Sequence, residues 1–441
     1  MTPEQWSLLR DWLARLTLDP LDPTDPDEDR YVELQEAGRG AVDKIFSRIA
    51  LAQEACTQLL SGPSGSGKTT ELYRLKGKLE DAGFTVVLVD SLRFVNHSYP
   101  IDPTELLIAL GLAFGEQLLE DERAEEQRGF ATRFRDFLRR AKVSIDVGPV
   151  SASASAEQVK ASVPGLSVEI DLKGELKSSE PFVTELRRKL AFHLSTLYDE
   201  VAAFFQDLAR EHRERHPDAL GVVIIVDSLE KLRGTATNDH EVQESVQRLF
   251  VHHSDKLRFR SHHLVYTVPP SLGFTQPGAL PFGPVRQVPI PQVRNRAGGR
   301  VDEIMSELVE AVTRRIPWDR LLEDKLLLED VILASGGHLR DLFMILQEII
   351  TLVSGQGLEL PVGRAHVDEA LAAVARGFSK ITREPAELMR RVHRQDGEIE
   401  PSADEVPLLA GLMHTHMLLN HQNDDDWYEV HPLARRTLGL E

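Results

Sequence analysis

Eight residues, Gly62-Pro-Ser-Gly-Ser-Gly-Lys-Thr69, carry the most specific chemistry in the chain. Glycines at the first and sixth positions, then lysine, then a hydroxyl residue, are the spacing of a loop that wraps phosphate. Glycine lets the backbone curl until several N–H groups face one anion. A helix that starts at Lys68 adds the positive end of its dipole. Gly62, Ser64, Gly65, Ser66, Gly67, Lys68, Thr69 and Thr70 are therefore the candidate phosphate ligands. Lys68 can reach the terminal phosphates, and the Thr69 hydroxyl can ligate Mg²⁺. The flanks fit: Ala55–Leu60 reads as a short strand, and Leu72, Leu75 and Leu79 give Thr70–Glu80 a helical stripe.

A second group of candidates lies far along the chain. Gly221–Val226 is an apolar run closed by Asp227, which suits a strand buried on both faces. The expectation is that this strand lies beside the loop strand, with Asp227 helping to hold Mg²⁺. The local run is Asp227-Ser-Leu-Glu230-Lys231. Two readings of Glu230 stand: a base that orients an attacking water, or a surface carboxylate paired with Lys231. Leu264–Val268 reads as another strand, carrying Thr267. Gly336-Gly337 breaks a helical pattern, and Arg340 falls in the first turn of the next helix.

The elements that must position these groups can be read in order. Residues 1–34 give an amphipathic helix with Trp6, Leu9, Trp12, Leu13 and Leu16, then an acidic, proline-punctuated connector over 19–29. Residues 35–298 hold the loop and the strands Phe84–Asp90, Gly221–Asp227 and Leu264–Val268. Val285–Pro291 reads as a fifth strand, of edge type because of Pro289. Within this span, 143–177 alternates with a β period at both ends around a Ser-Ala repeat. It reads either as an inserted β-hairpin or arm, or as a linker. Phe182–Arg213 reads as one long helix. Residues 299–378 are helical, and 379–441 combine helices with a hairpin, Met417–His421 and Trp427–His431, joined by an acidic turn.

Composition narrows the partners. The 441 residues carry a formal net charge of −19, which disfavours nonspecific binding to nucleic acid or anionic lipid. No apolar run is long enough to span a bilayer, and Met1–Trp6 lacks the features of a secretory leader. Cys56 is the single cysteine, so no intrachain disulfide forms. A cytoplasmic setting without a membrane is expected. His252-His253 and His262-His263 lack the spacing of a helix-face metal pair and read as structural.

These motifs together resemble P-loop ATPases of the AAA+ and STAND groups, origin-recognition-like and NACHT-like members included, over residues 35–350. The resemblance implies an α/β fold: a three-layer αβα core with a parallel sheet, a helical lid and a C-terminal winged-helix-like domain. It implies ATP and Mg²⁺ as cofactors, with Thr69 and Asp227 as metal ligands. Lys68, Asp227, Glu230, Thr267 and Arg340 become the candidate catalytic residues. Thr267 matches a polar residue near the γ-phosphate. Arg340 matches a lid arginine, the second sensor, which reaches the nucleotide, and His338 matches a nucleotide-proximal position. Ser228 stands where many AAA+ enzymes place a second acid, so slow hydrolysis and a switch-like role, in bacterial signalling or defence, are implied. Arg258, Arg260, Arg286, Arg294 and Arg296 are candidate fingers toward a neighbouring subunit. A protein partner or a second copy of the chain is expected. DNA is kept open by Arg390, Arg391 and Arg394 but disfavoured by the acidic tail.

Overall fold

The computed structural model describes residues 2–34, 39–118, 129–141, 166–234, 238–274, 280–402, 404–422 and 426–440. The chain divides into two compact units. One holds residues 1–45, 61–77 and 286–441; the other holds 46–60 and 78–285. Among the described residues no helix is long and apolar enough to cross a membrane.

The second unit is built on parallel strands. They are β1 (Thr57–Ser61), β2 (Phe84–Asp90), β3 (Gly221–Asp227) and β4 (His263–Thr267). β2 pairs with β3 from Phe84↔Gly221 to Asp90↔Asp227. β3 pairs with β4 from Val223↔His263 to Val226↔Tyr266, and β4 with β1 from Leu264↔Thr57 to Thr267↔Leu60. β3 is apolar and buried from Val222 to Val226, as a strand covered on both faces requires. Ser61 ends β1 within the first unit. There its carbonyl accepts the Val288 amide (2.9 Å), next to the two-residue β5 (Arg286–Gln287). The sheet order is β2-β3-β4-β1-β5. β5 covers only Arg286–Gln287, not the expected 285–291, and ends before Pro289, which has no N–H to donate to a ladder.

This order corrects one expectation. β3, which carries Asp227, is not beside the loop strand; β4 lies between them. Thr267 is thus the residue opposite Leu60, and its hydroxyl donates to the Val226 carbonyl at 3.4 Å.

Helix α2 (Arg39–Ala50) precedes β1, and α3 (Lys68–Asp81) follows the loop. Helix α4 (Pro103–Leu118) is buried at every position from Pro103 to Gly115. A helix apolar all round belongs inside a core. It packs with α5 (Phe130–Arg140), α6 (Leu166–Ser178), α7 (Glu180–Leu190) and α8 (Leu194–Arg215). Phe114 meets Phe205 with ring centroids 4.4 Å apart, and Phe130 meets Phe204 at 5.4 Å. Arg187 donates through Nε to Glu105 (2.7 Å) and through Nη2 to the Pro100 carbonyl, tying α7 to α4. Burial pushes the Glu105 carboxyl up to about 7 even beside that guanidinium.

Two further expectations change. The alternating stretch at 166–173 is helix, not strand. Leu172 and Leu176, four apart on one helix face, are both buried, so the apolar spacing serves a helix. The other end of the expected insertion, 143–165, lies outside the described residues. Phe182–Arg213 is two helices, because a turn at 191–193 lets α7 reach α6 while α8 reaches α5.

His262 of the histidine doublets sits between Phe114 and Phe205, with centroids at 5.0 and 5.6 Å. Burial lowers its pKa from 6.5 to about 3. Above pH 6.5 the ring is neutral in both folded and unfolded chains. As pH falls from 6.5 towards 3 only the unfolded chain takes the proton, so stability is lost over that window at about 1.4 kcal/mol per pH unit. Wild type should therefore lose about 2 kcal/mol more than His262→Gln between pH 6.5 and 5, read from unfolding midpoints. Parallel pH profiles for the two proteins would contradict this.

In the first unit, α1 (Pro3–Arg15) starts with a capping box. Thr2 Oγ1 accepts the Gln5 amide, and the Gln5 side chain accepts the Thr2 amide. The acidic stretch after it is more than a connector: Leu21 is buried and its amide donates to Thr70 Oγ1 at 3.1 Å. Helix α9 (Asp239–His252) belongs to the second unit; the stretch expected as a lid, 299–378 of the first, holds α10 (Asp302–Thr313), α11 (Trp318–Leu321), α12 (Lys325–Ala334) and α13 (Leu339–Gln356). After α14 (Arg364–Ala375) the tail runs α15 (Arg383–Arg394), α16 (Val406–His414), antiparallel β6 (Leu418–Gln422) and β7 (Asp426–Val430), then α17 (Pro432–Leu438).

Candidate functional site

The glycine-rich loop joins β1 to α3, as its spacing requires. Lys68 is 6% exposed, and its ammonium donates to the carbonyls of Gly62 (2.9 Å) and Pro63 (2.8 Å). Ser66 Oγ also donates to the Pro63 carbonyl at 3.0 Å. The loop thus curls around its own lysine. The first turn of α3 holds N–H groups that no intrahelical carbonyl can satisfy, the usual reason a helix start receives an anion. The Thr70 hydroxyl accepts from Leu21, a structural duty that its place in the motif did not reveal.

Ser64 is held on three sides. Its carbonyl accepts from His338 Nε2 (2.8 Å), its hydroxyl accepts from Arg340 Nη1 (3.1 Å), and its amide donates to the His414 carbonyl (3.3 Å). The lid turn delivers the first two. Gly336 and Gly337 have φ of +61° and +81°, which ends α12 and aims the chain at the loop before α13 begins. Gly65 is a glycine for a reason of space. A Cβ there would lie 2.9 Å from Arg340 Cβ and from His338 Cε1. So loop, lid turn and the end of α16 form one packed cluster.

The second group of sequence candidates gathers in the other unit. Asp227 ends β3 at 4% exposure, and its Oδ1 accepts the Ser228 amide at 2.7 Å. Ser228 has φ +73°, so the chain turns sharply into the short 3₁₀ turn Leu229–Lys231. Glu230 on that turn is 1% exposed, so it is not a surface carboxylate. Lys231 donates to Ser228 Oγ at 3.0 Å. Thr267 is fully buried one strand away. Strand pairing thus brings Asp227 and Thr267 to the same end of the sheet, while Arg340 and His338 belong with the loop.

Among the suggested arginine fingers, Arg296 is occupied within its own chain. It donates to the Asp396 carbonyl (2.9 Å) and to Glu398 (2.6 Å).

Sequence reasoning missed Asp341, His416 and His431, which converge beside His338. Asp341 is the residue after Arg340, and an acid one turn beyond a buried histidine was the available signal. His416 and His431 gave none, because they lie in the tail and reach Asp341 only through packing. Burial alone would push the Asp341 carboxyl up, but the surrounding imidazoles hold it well below the ordinary carboxylate range. Burial drives His416 down to about 3.

No protein-family model matches the chain, and no curated protein matches it. Solved structures similar to it include Cdc6p from Pyrobaculum aerophilum, at 14% identity over 94% of each chain and a TM-score of 0.36. Another is the structure of Drosophila ORC bound to DNA, at 12% identity over 100% of this chain and 93% of that one, TM-score 0.40. A third is the Aeropyrum pernix ORC1 protein in complex with DNA, at 10% identity over 98% and 96%, TM-score 0.40. These likenesses are distant, and the functional reading rests on the loop and the residues packed against it.

Proposed function

We propose that the protein binds ATP·Mg²⁺ at the glycine-rich loop and hydrolyses it slowly, acting as a nucleotide-dependent switch. The observation that carries this reading is the loop itself: β1, Gly62–Thr69 and α3 in succession, with Lys68 turned back over the loop and lid residues seated on Ser64. On binding, the Lys68 ammonium exchanges the Gly62 and Pro63 carbonyls for phosphate oxygens. Thr69 and Asp227 are the residues that would hold Mg²⁺, which would supply charge neutralisation on the phosphates. Glu230, buried on the turn after β3, orients the attacking water. Thr267 and Arg340 sense the γ-phosphate. Because Arg340 and His338 leave Ser64 or stay with it according to what the loop holds, lid and tail respond to nucleotide.

Phosphate release separates a switch with turnover from a scaffold without it. Glu230→Gln should lower release about 100-fold while ATP binding persists. Equal release by wild type, Glu230→Gln and Lys68→Ala would remove the enzymatic reading.

A DNA-binding role is the rival. We read the tail as winged-helix-like, yet two of its arginines already face a carboxylate: Arg391 pairs with Glu405 (2.8 Å) and Arg435 with Glu429 (2.8 Å). Binding to phosphates releases counterions and is therefore steeply salt-dependent. Filter binding to duplex DNA across a salt series should show no such slope. A protein partner or a second copy of the chain is the expected target of the tail.

A further inference from the structure

We propose that His338, Asp341 and His416 form a site for one divalent transition-metal ion of the zinc class, a clasp between the lid turn and the tail. The argument begins with hydrogens. His338 is fully buried, and its Nε2 lies 2.8 Å from the Ser64 carbonyl, which can only accept. Nε2 therefore carries the hydrogen, and in the neutral ring Nδ1 is a bare lone pair. That lone pair lies 2.8 Å from Asp341 Oδ2. The Asp341 side chain is 1% exposed, and as a carboxylate it too can only accept. Two acceptors face each other in a buried place, and neither atom has an aligned hydrogen-bond donor. A cation belongs between them.

The choice is between a proton and a metal. His416 favours the metal. Its ring stacks on His338, with centroids 4.4 Å apart, and its Nε2 lies 3.4 Å from Asp341 Oδ1. The three ligand atoms, two nitrogens and one carboxylate oxygen, all lie within 4.8 Å of one another. Two imidazoles and one carboxylate are a known donor set for zinc, with a fourth position left over.

The surroundings fit as well. A metal-bound histidine usually donates its other N–H to a carbonyl, and a ligating carboxylate is itself supported. His338 does the first through Ser64. The second falls to His431. Its Nδ1 accepts the Leu433 amide (3.1 Å), so in the neutral ring its Nε2 carries a hydrogen; that nitrogen lies 3.1 Å from Asp341 Oδ2, out of line for a hydrogen bond until the carboxylate turns towards a metal. Two ligands of one zinc ion stand roughly 3.3 Å apart for bonds of about 2.0 Å. Loading would spread the His338–Asp341 pair by a few tenths of an ångström. His416 holds φ +51°, a left-handed backbone unusual for a residue other than glycine, as expected where a fixed side-chain direction matters more than backbone ease.

The test uses the full chain, stripped with chelator and titrated with zinc chloride, then with cobalt chloride. We expect saturable uptake of one zinc per chain, a rise in thermal midpoint, and visible absorption of low-symmetry Co²⁺. His416→Ala should abolish the saturable uptake. His431→Ala, which removes only the support, should weaken it roughly tenfold to 100-fold. No saturable uptake by wild type, with no cobalt spectrum, means a proton holds the pair and overturns the proposal. Uptake that is unchanged in His416→Ala overturns it too. The cobalt spectrum of wild type needs no variant, so a variant that fails to fold does not blunt the test. Neither ATP binding nor turnover enters these readouts.

Discussion

Lys68→Ala should abolish ATP-induced thermal stabilisation and lower phosphate release by roughly 100-fold or more. The lysine is nearly buried, and its three N–H groups are the only part of the side chain that can meet an anion. Two of them are engaged by the Gly62 and Pro63 carbonyls, so the ammonium is already held over the loop in the direction a β- or γ-phosphate would occupy. Binding then requires an exchange of partners rather than the ordering of a free side chain, which keeps its entropic cost small. Alanine removes both the charge and the two charge-assisted bonds that shape the loop. Some loss of stability in the nucleotide-free protein is therefore expected alongside the loss of binding. Lys68→Arg is the informative companion. It keeps the charge, but a planar guanidinium does not fit a cradle shaped for a compact ammonium, so ATP stabilisation should stay poor. Wild-type affinity in Lys68→Ala, measured by calorimetry with ATP and Mg²⁺, would place the nucleotide elsewhere.

Gly337→Ala should cost about 2–4 kcal/mol of stability and weaken ATP binding at the same time. Two costs combine. The residue has φ +81°, where a side chain is strained, and a Cβ would lie 1.9 Å from the Pro291 carbonyl oxygen. That neighbour is backbone, so no rotamer change relieves the overlap. The turn must shift, and His338 and Arg340 shift with it, away from Ser64. Gly355→Ala is the control. It lies in the helix carrying the same lid, and a Cβ there meets nothing within 4 Å, so a neutral or slightly stabilising effect is expected. Unfolding midpoints and ATP affinities of the two variants check both claims. Equal behaviour of the two would show that the turn does not aim the lid at the loop.

Both predictions concern places where sequence and structure divide the work differently. The strand–loop–helix around Gly62–Thr69 was legible because its information is local. Glycine spacing, a lysine and a hydroxyl residue within eight positions define a backbone shape that needs little help from elsewhere. The same holds for Gly221–Asp227 and Phe84–Asp90, where unbroken apolar runs report burial on both faces. Gly336-Gly337 announced a break, and the break is there. Local patterns failed where two periods overlap. At 166–173, alternate apolar residues also place Leu172 and Leu176 on one helical face, and the neighbouring helices decided in favour of helix.

Order among the strands and convergence of side chains came from the tertiary structure alone. Nothing in the run Val222–Asp227 tells it to pair with His263–Thr267 rather than with Thr57–Ser61, since parallel strands with apolar faces are interchangeable until the crossovers are packed. Likewise His416 and His431 carry no signal in their own neighbourhoods. They meet Asp341 because the tail folds back onto the lid turn, and a buried carboxylate gathers whatever donors packing supplies. Chain spacing encodes geometry over a turn or two of backbone. Contacts between distant segments depend on how whole elements fill space, and that is settled only when the core is assembled.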